Sequence, residues 1–154
     1  MPRIVILALT LVLGACMSQP KPPPPTVVQL HFQAAPDLNP APGGQPSPVR
    51  VRLYELKSGS TFGRADYFPL VEAADATLAG DLVAQDEVLV APGAELQVDR
   101  TLDEQTRLIG LVVAYRELDR SVWRQVVSIP AQQRSQLKVR LDAHGVSASL
   151  TPGQ

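Results

Sequence analysis

The sequence predicts an all-β protein, a small antiparallel sandwich or barrel. Apolar and polar residues alternate with a period of two in several segments. Such segments recur roughly every ten to fifteen residues, and Pro, Gly and Asp turns separate them. Composition agrees: the 154 residues are 45% hydrophobic and 19% charged, a globular balance that excludes disorder and leaves room for one domain. Net charge is −1, or −2 once Arg3 leaves with the leader described below, so no basic field exists to collect phosphates from nucleic acid.

The first expected strand is 26–34, with Val28, Leu30 and Phe32 on one face and Val27, Gln29, His31 and Gln33 on the other. Segment 49–53 repeats the pattern, Val49, Val51 and Leu53 opposing Arg50 and Arg52. Further strands are expected over 87–90, 96–102, 108–115, 122–129, 137–141 and 146–150. Pro92-Gly93 and His144-Gly145 supply turns: Pro presets one corner and Gly tolerates positive φ at the next. Segment 61–79 breaks the pattern. There Phe62, Ala65, Phe68, Leu70 or Val71, Ala74 and Leu78 lie near helical spacing, which predicts a short helix or two interrupted at Pro69. Segment 108–115 (LIGLVVAY) hardly alternates, as expected of a central strand buried on both faces or of a strand beneath that helical excursion.

The amino terminus carries a different signal. A basic start at Arg3 precedes an apolar run over 4–13, the pattern of a signal peptide over 1–15. A spanning helix needs about 20 apolar residues, and this run stops at Gly14. Leu13-Gly14-Ala15-Cys16 resembles the bacterial lipobox. That resemblance implies cleavage between Ala15 and Cys16, a diacylglycerol on the Cys16 thiol, and acylation of the freed amine. The alternative is a secreted protein with one free buried cysteine. Each buried methylene contributes about 0.8 kcal/mol, so two or three chains hold what one chain binds only reversibly. Met17 stands where an Asp commonly signals inner-membrane retention, so the outer membrane, facing the periplasm, is expected. Residues 17–25 (MSQPKPPPP) read as an extended polyproline spacer, which at about 3.1 Å per residue reaches roughly 25–30 Å. A Pro-rich ligand for a recognition module is the other reading. The sandwich domain is expected over 26–151.

No catalytic or metal-binding spacing stands out. His31 and His144 are the two histidines, and they fit no ligand pattern. The Gly-containing stretch 58–63 matches neither a nucleophile elbow nor a phosphate loop. Asp66, Asp75 and Asp81 read as solvated loop carboxylates rather than an acid–base pair. Trp123, the sole tryptophan, reads as a core plug before a binding anchor.

One feature is left over: thirteen residues join the first two strands where a hairpin needs about two to five. They are Pro36, Asp37, Leu38, Asn39, Pro40, Ala41, Pro42, Gly43, Gly44, Gln45, Pro46, Ser47 and Pro48. Five prolines restrict the backbone before binding, the double Gly permits a reversal, and Leu38 is expected to offer an apolar tip.

The most specific motif is Pro46-Ser47-Pro48-Val49-Arg50-Val51-Arg52-Leu53-Tyr54-Glu55-Leu56, followed by Phe62 with Ala65-Asp66-Tyr67-Phe68. With Leu38-Asn39-Pro40, Leu82, Pro92-Gly93, Ile109-Gly110, Ala114-Tyr115-Arg116, Trp123-Arg124 and Val139-Arg140-Leu141, these residues resemble the TssJ family of type VI secretion lipoproteins. The resemblance implies a transthyretin-like two-sheet β-sandwich with a short helical insertion. It also implies a non-enzymatic role with no cofactor beyond the covalent lipid on Cys16. The implied partners are the outer-membrane lipid, the periplasmic C-terminal domain of the inner-membrane protein TssM, and through it the TssM–TssL membrane complex. In the family the loop between the first two strands contacts TssM, which here is 36–48. Two other readings stand beside it: a lipoprotein module binding a small molecule or carbohydrate through Tyr54, Tyr67 and Trp123, and a hydrolase.

Overall fold

The computed structural model describes residues 21–153. Its elements are β1 (Thr26–Ala34), β2 (Val49–Leu56), α1 (Ser60–Arg64), α2 (Tyr67–Glu72), α3 (Ala74–Leu78), β3 (Leu82–Val90), β4 (Glu95–Leu102), β5 (Leu108–Val113), β6 (Arg124–Ser128), β7 (Arg134–Asp142) and β8 (Gly145–Pro152). They form two four-stranded sheets, β4-β1-β7-β8 and β3-β2-β5-β6. The β1–β7 pair is parallel, and the other neighbouring pairs are antiparallel.

Alternation explains the layers. Val28, Leu30 and Phe32 of β1 and Leu137, Val139 and Leu141 of β7 meet Val49, Val51 and Leu53 of β2 and Ile109, Leu111 and Val113 of β5 between the sheets. Each such side chain, fully buried, contributes roughly 1.5–3 kcal/mol, so this layer dominates stability. The opposite face of β2 and β5 is covered too. Tyr54, Leu56 and Val112 pack under Phe62, Leu70, Ala74 and Leu78 of the three helices. Both expectations for segment 108–115 therefore hold at once: β5 is a central strand, buried on both faces, with the helices above it.

The helices have five or six residues and no side-chain N-cap, too short to persist alone. The sheet beneath holds them. The Tyr54 hydroxyl donates to the Leu70 carbonyl at 2.7 Å, and Arg52 Nη1 donates to the Val71 carbonyl at 2.8 Å. Arg124 Nη1 donates to the carbonyls of Phe62 and Ala65, at 2.9 and 2.7 Å. Cations thus sit at carbonyl-rich helix ends, where the dipole favours them. Phe62 lies on Gly110 of β5, where a Cβ atom would come within 2.6 Å of its ring.

Local differences from the expected elements have physical causes. Pro69 does not interrupt the helical stretch: it occupies the first turn of α2, where its missing N–H is not needed, and the breaks fall at Ala65-Asp66 and Ala73. Strand β3 begins at Leu82 rather than 87: pairing with β2 carries it back to Leu82, and its residues 84–87, all exposed, lack the alternation that marks a half-buried strand in the sequence.

Strand direction gives the molecule two distinct ends. Thr26, at the start of β1, pairs with Leu102 near the 103–107 link, and the exposed residues 21–25 leave from this end. At the other end of β1 lie loop 36–48, the 91–94 turn, the 114–123 link and the 143–144 turn.

Candidate partner-binding loop

Loop 36–48 is a braced hairpin rather than a slack link. Its base is Leu38, which is fully buried in the core between the sheets. The expected apolar tip is thus corrected: in a small sandwich the strongest force on a lone leucine is burial, and Leu38 anchors the loop instead of presenting it. Next to it Asn39, also buried, adopts the left-handed region at φ 46°, which Asn tolerates better than most residues. Side chain and backbone together clamp three segments. Nδ2 donates to the Pro48 carbonyl at 3.2 Å, Oδ1 accepts from the Arg116 backbone at 2.8 Å, and its own N–H donates to the Ala143 carbonyl at 3.2 Å.

Above this base the loop closes on itself. Ser47 N–H donates to the Leu38 carbonyl at 2.9 Å, Ala41 N–H to Gln45 at 2.8 Å, and Gly44 N–H to Ala41 at 2.7 Å. Gly44 takes φ +80°, the reversal expected of the Gly pair. Pro42, Gly43, Gly44, Gln45 and Pro46 form the exposed tip; Pro36, Asp37 and Pro48 are exposed lower down, and Pro40, Ala41 and Ser47 are half-buried.

Neighbouring links brace the same end. The buried Tyr115 hydroxyl donates to the Asp142 carbonyl at 3.1 Å, and burial, with the Asp142 charge adding, pushes its pKa well above 10.0. Gly93 N–H donates to Ala35, and Val122 N–H to His144.

The other candidates do not converge. Tyr54 is fully buried, while Tyr67 and Trp123 stack edge to face at 5.4 Å, so the three aromatics line no common pocket. A cavity of about 190 Å³ opens between β3 and β4 under the Arg100–Asp86 ion pair, and a wider cleft of about 700 Å³ beside Thr26, between residues 23–26, 101–104 and 131–132, has no aromatic side chain in its lining. His31 bonds Gln97 at 2.7 Å on the polar sheet face, far along the chain from His144 in its turn. Asp66 precedes α2 and Asp75 opens α3, while Asp81 accepts from the Thr61 hydroxyl at 3.1 Å. Ser58 bonds Ser60 at the entry to α1. Cys16, with the cleavage site at Ala15, lies outside the described residues. No local pattern in the sequence marks Asn39 as the clamp of the loop. Its only signal there is that of a left-handed-tolerant residue amid prolines.

A two-sheet sandwich capped by three short helices, with a rigid loop at one end, defines a class that comparison identifies. The chain belongs to the family described as type VI secretion lipoprotein, VasD, EvfM, TssJ, VC_A0113, whose match covers residues 26–144. It is most informatively similar to the crystal structure of the type VI lipoprotein TssJ1 from Pseudomonas aeruginosa. Identity there is 53% over 85% of this chain and 100% of that one, with a TM-score of 0.82. Serratia marcescens Lip, a membrane bound component of the type VI secretion system, shares the fold at 24% identity, over 81% of this chain and 98% of that one, with a TM-score of 0.76. A chain in a structure described as the TssM C-terminal domain (869–1107) from EAEC matches at 26% identity and a TM-score of 0.65, over 83% of this chain and 99% of that one. No curated protein matches.

Proposed function

We propose that this type VI secretion lipoprotein is a non-enzymatic anchor. Its lipidated Cys16 sits in the outer membrane after cleavage at Ala15, and loop 36–48 binds the periplasmic C-terminal domain of TssM, linking the TssM–TssL complex to that lipid. The observation that carries this reading is the placement of a braced loop at one end of β1 and the Pro-rich spacer at the other. A prepaid backbone conformation lowers the ordering cost of binding, which favours the loop as a contact. The match to a chain in the TssM C-terminal domain structure supports TssM as the partner.

The test leaves the loop's base intact. Pro42→Ser, Gln45→Ala and Pro46→Ser together keep the Leu38 and Asn39 anchors, and should weaken binding of the TssM periplasmic domain at least tenfold in calorimetric titration while the thermal melt stays within a few degrees. Unchanged affinity sinks the loop assignment. Cys16→Ser should move the protein from the outer-membrane fraction to the soluble periplasm; persistence with the membrane overturns the anchor.

A further inference from the structure

Around the corner from the loop, on the helix-covered side of the second sheet, two arginines share one acid. Arg50 Nε lies 3.6 Å and Arg52 Nε 3.7 Å from the Glu87 carboxylate, both longer than a hydrogen bond. The sum of these charges is positive. Arg50, Arg52, Tyr67, Val71, Val112 and Ala114 enclose a notch of about 130 Å³, apolar at its floor and cationic at its rim. The Tyr67 phenol, like any tyrosine at neutral pH, keeps its proton and can donate a hydrogen bond. The notch is therefore rich in donors and poor in acceptors. Its size admits the head of one side chain and excludes a drug-sized ligand.

Exposed apolar groups flank it. Leu89, the cross-strand partner of Arg50, is 68% exposed, and Phe68, whose ring stands 5.4 Å from that of Tyr67, is 59% exposed. Single exposed apolar residues are ordinary, but these two bracket a cationic notch. The notch also adjoins the loop: Arg50 lies two residues beyond Pro48, and its carbonyl accepts the Ala114 N–H two residues before the Arg116 that Asn39 binds.

We propose that this notch is a second contact for the loop's partner, taking a carboxylate side chain of an extended segment whose neighbouring apolar residues cover Leu89 and Phe68. This deepens the anchoring role proposed above and rests on it for the identity of the partner. Guanidinium–carboxylate pairing supplies the charge match. A membrane phosphate is the poorer occupant, because the notch lies at the end of the sandwich away from residues 21–25.

Arg52 supports α2 and is left alone in the test. Arg50→Glu with Phe68→Ser should lower affinity for the TssM periplasmic domain at least tenfold with loop and melt intact. Equal affinity in this variant, beside a loss in the loop-tip variant, overturns the notch and spares the loop. If the wild-type chain does not bind TssM, the anchoring role fails separately, and a peptide titration decides the notch. Trp123, in contact with Tyr67, reports occupancy. Acetyl-Leu-Ala-Glu-Ala-Phe-amide should shift its emission saturably, at concentrations at least fivefold below those the Gln-containing counterpart requires. Equal responses, or a response to phosphatidylglycerol vesicles in place of the peptide, overturn the proposal.

Discussion

Gly110 shows how a single missing atom seats a whole insertion. The Phe62 ring occupies the space above it, and three ring atoms lie within 2.9 Å of where a Cβ would stand. Gly110→Ala should cost about 1–3 kcal/mol, the usual penalty of overpacking. Urea unfolding measures it, and Phe62→Leu in the same chain should recover part of the loss; a silent Gly110→Ala would show that the ring shifts freely. At this scale the sequence was only partly legible. The motif residues Val49, Val51 and Leu53 announced themselves by alternation, whereas Leu38 did not. Nothing in a chain of prolines and glycines tells whether its one leucine points into solvent or into the core.

Elements that alternate were legible, and those held by long-range bonds were not. Strand β1 was read to its end residues because Val28, Leu30 and Phe32 alternate with Gln29, His31 and Gln33 along it. The helices are different, since Tyr54, Arg52 and Arg124 hold them from strands remote in sequence. Tyrosines also make the fold sensitive to alkali. Burial raises the pKa of both Tyr54 and Tyr115 above 10.0 in the folded chain. In the unfolded chain they ionise near 10, so their contribution is complete below that pH and is lost as pH rises toward the folded values. Chemical denaturation between pH 8 and 11 should show stability falling above about pH 10, with a shallower fall in Tyr115→Phe. That variant should lose about 1 kcal/mol at neutral pH, because the Asp142 carbonyl loses its donor. An identical alkaline slope would mean Tyr115 does not titrate with folding.

For the molecule as a whole, the sandwich class and the long loop could be read from strand spacing, but the separation of loop and spacer could not. It depends on the path of β1 between its neighbours, and no local pattern reveals that β1 pairs parallel to β7. Residues 21–25, the described part of the proposed spacer, are exposed. Deleting Pro22, Pro23, Pro24 and Pro25 should leave the melt unchanged and lower the domain by about 12 Å toward its bilayer, at about 3.1 Å per residue. Fluorescence transfer from a labelled lipid to Trp123's side of the sandwich reads that distance; a constant distance would show that the prolines are not the spacer.

The path of β1 has a mechanical side. Its nine residues connect the end where the spacer leaves to the end where the loop begins, without a bend. A strand rises about 3.3 Å per residue, close to the limit of a fully stretched chain. Tension between lipid and loop would run along this one covalent line, with almost no slack to draw out. Ladders to β4 and β7 flank it on both sides and would be loaded in shear, all rungs together, rather than peeled one at a time. The domain is built as a taut cable clamped along its length.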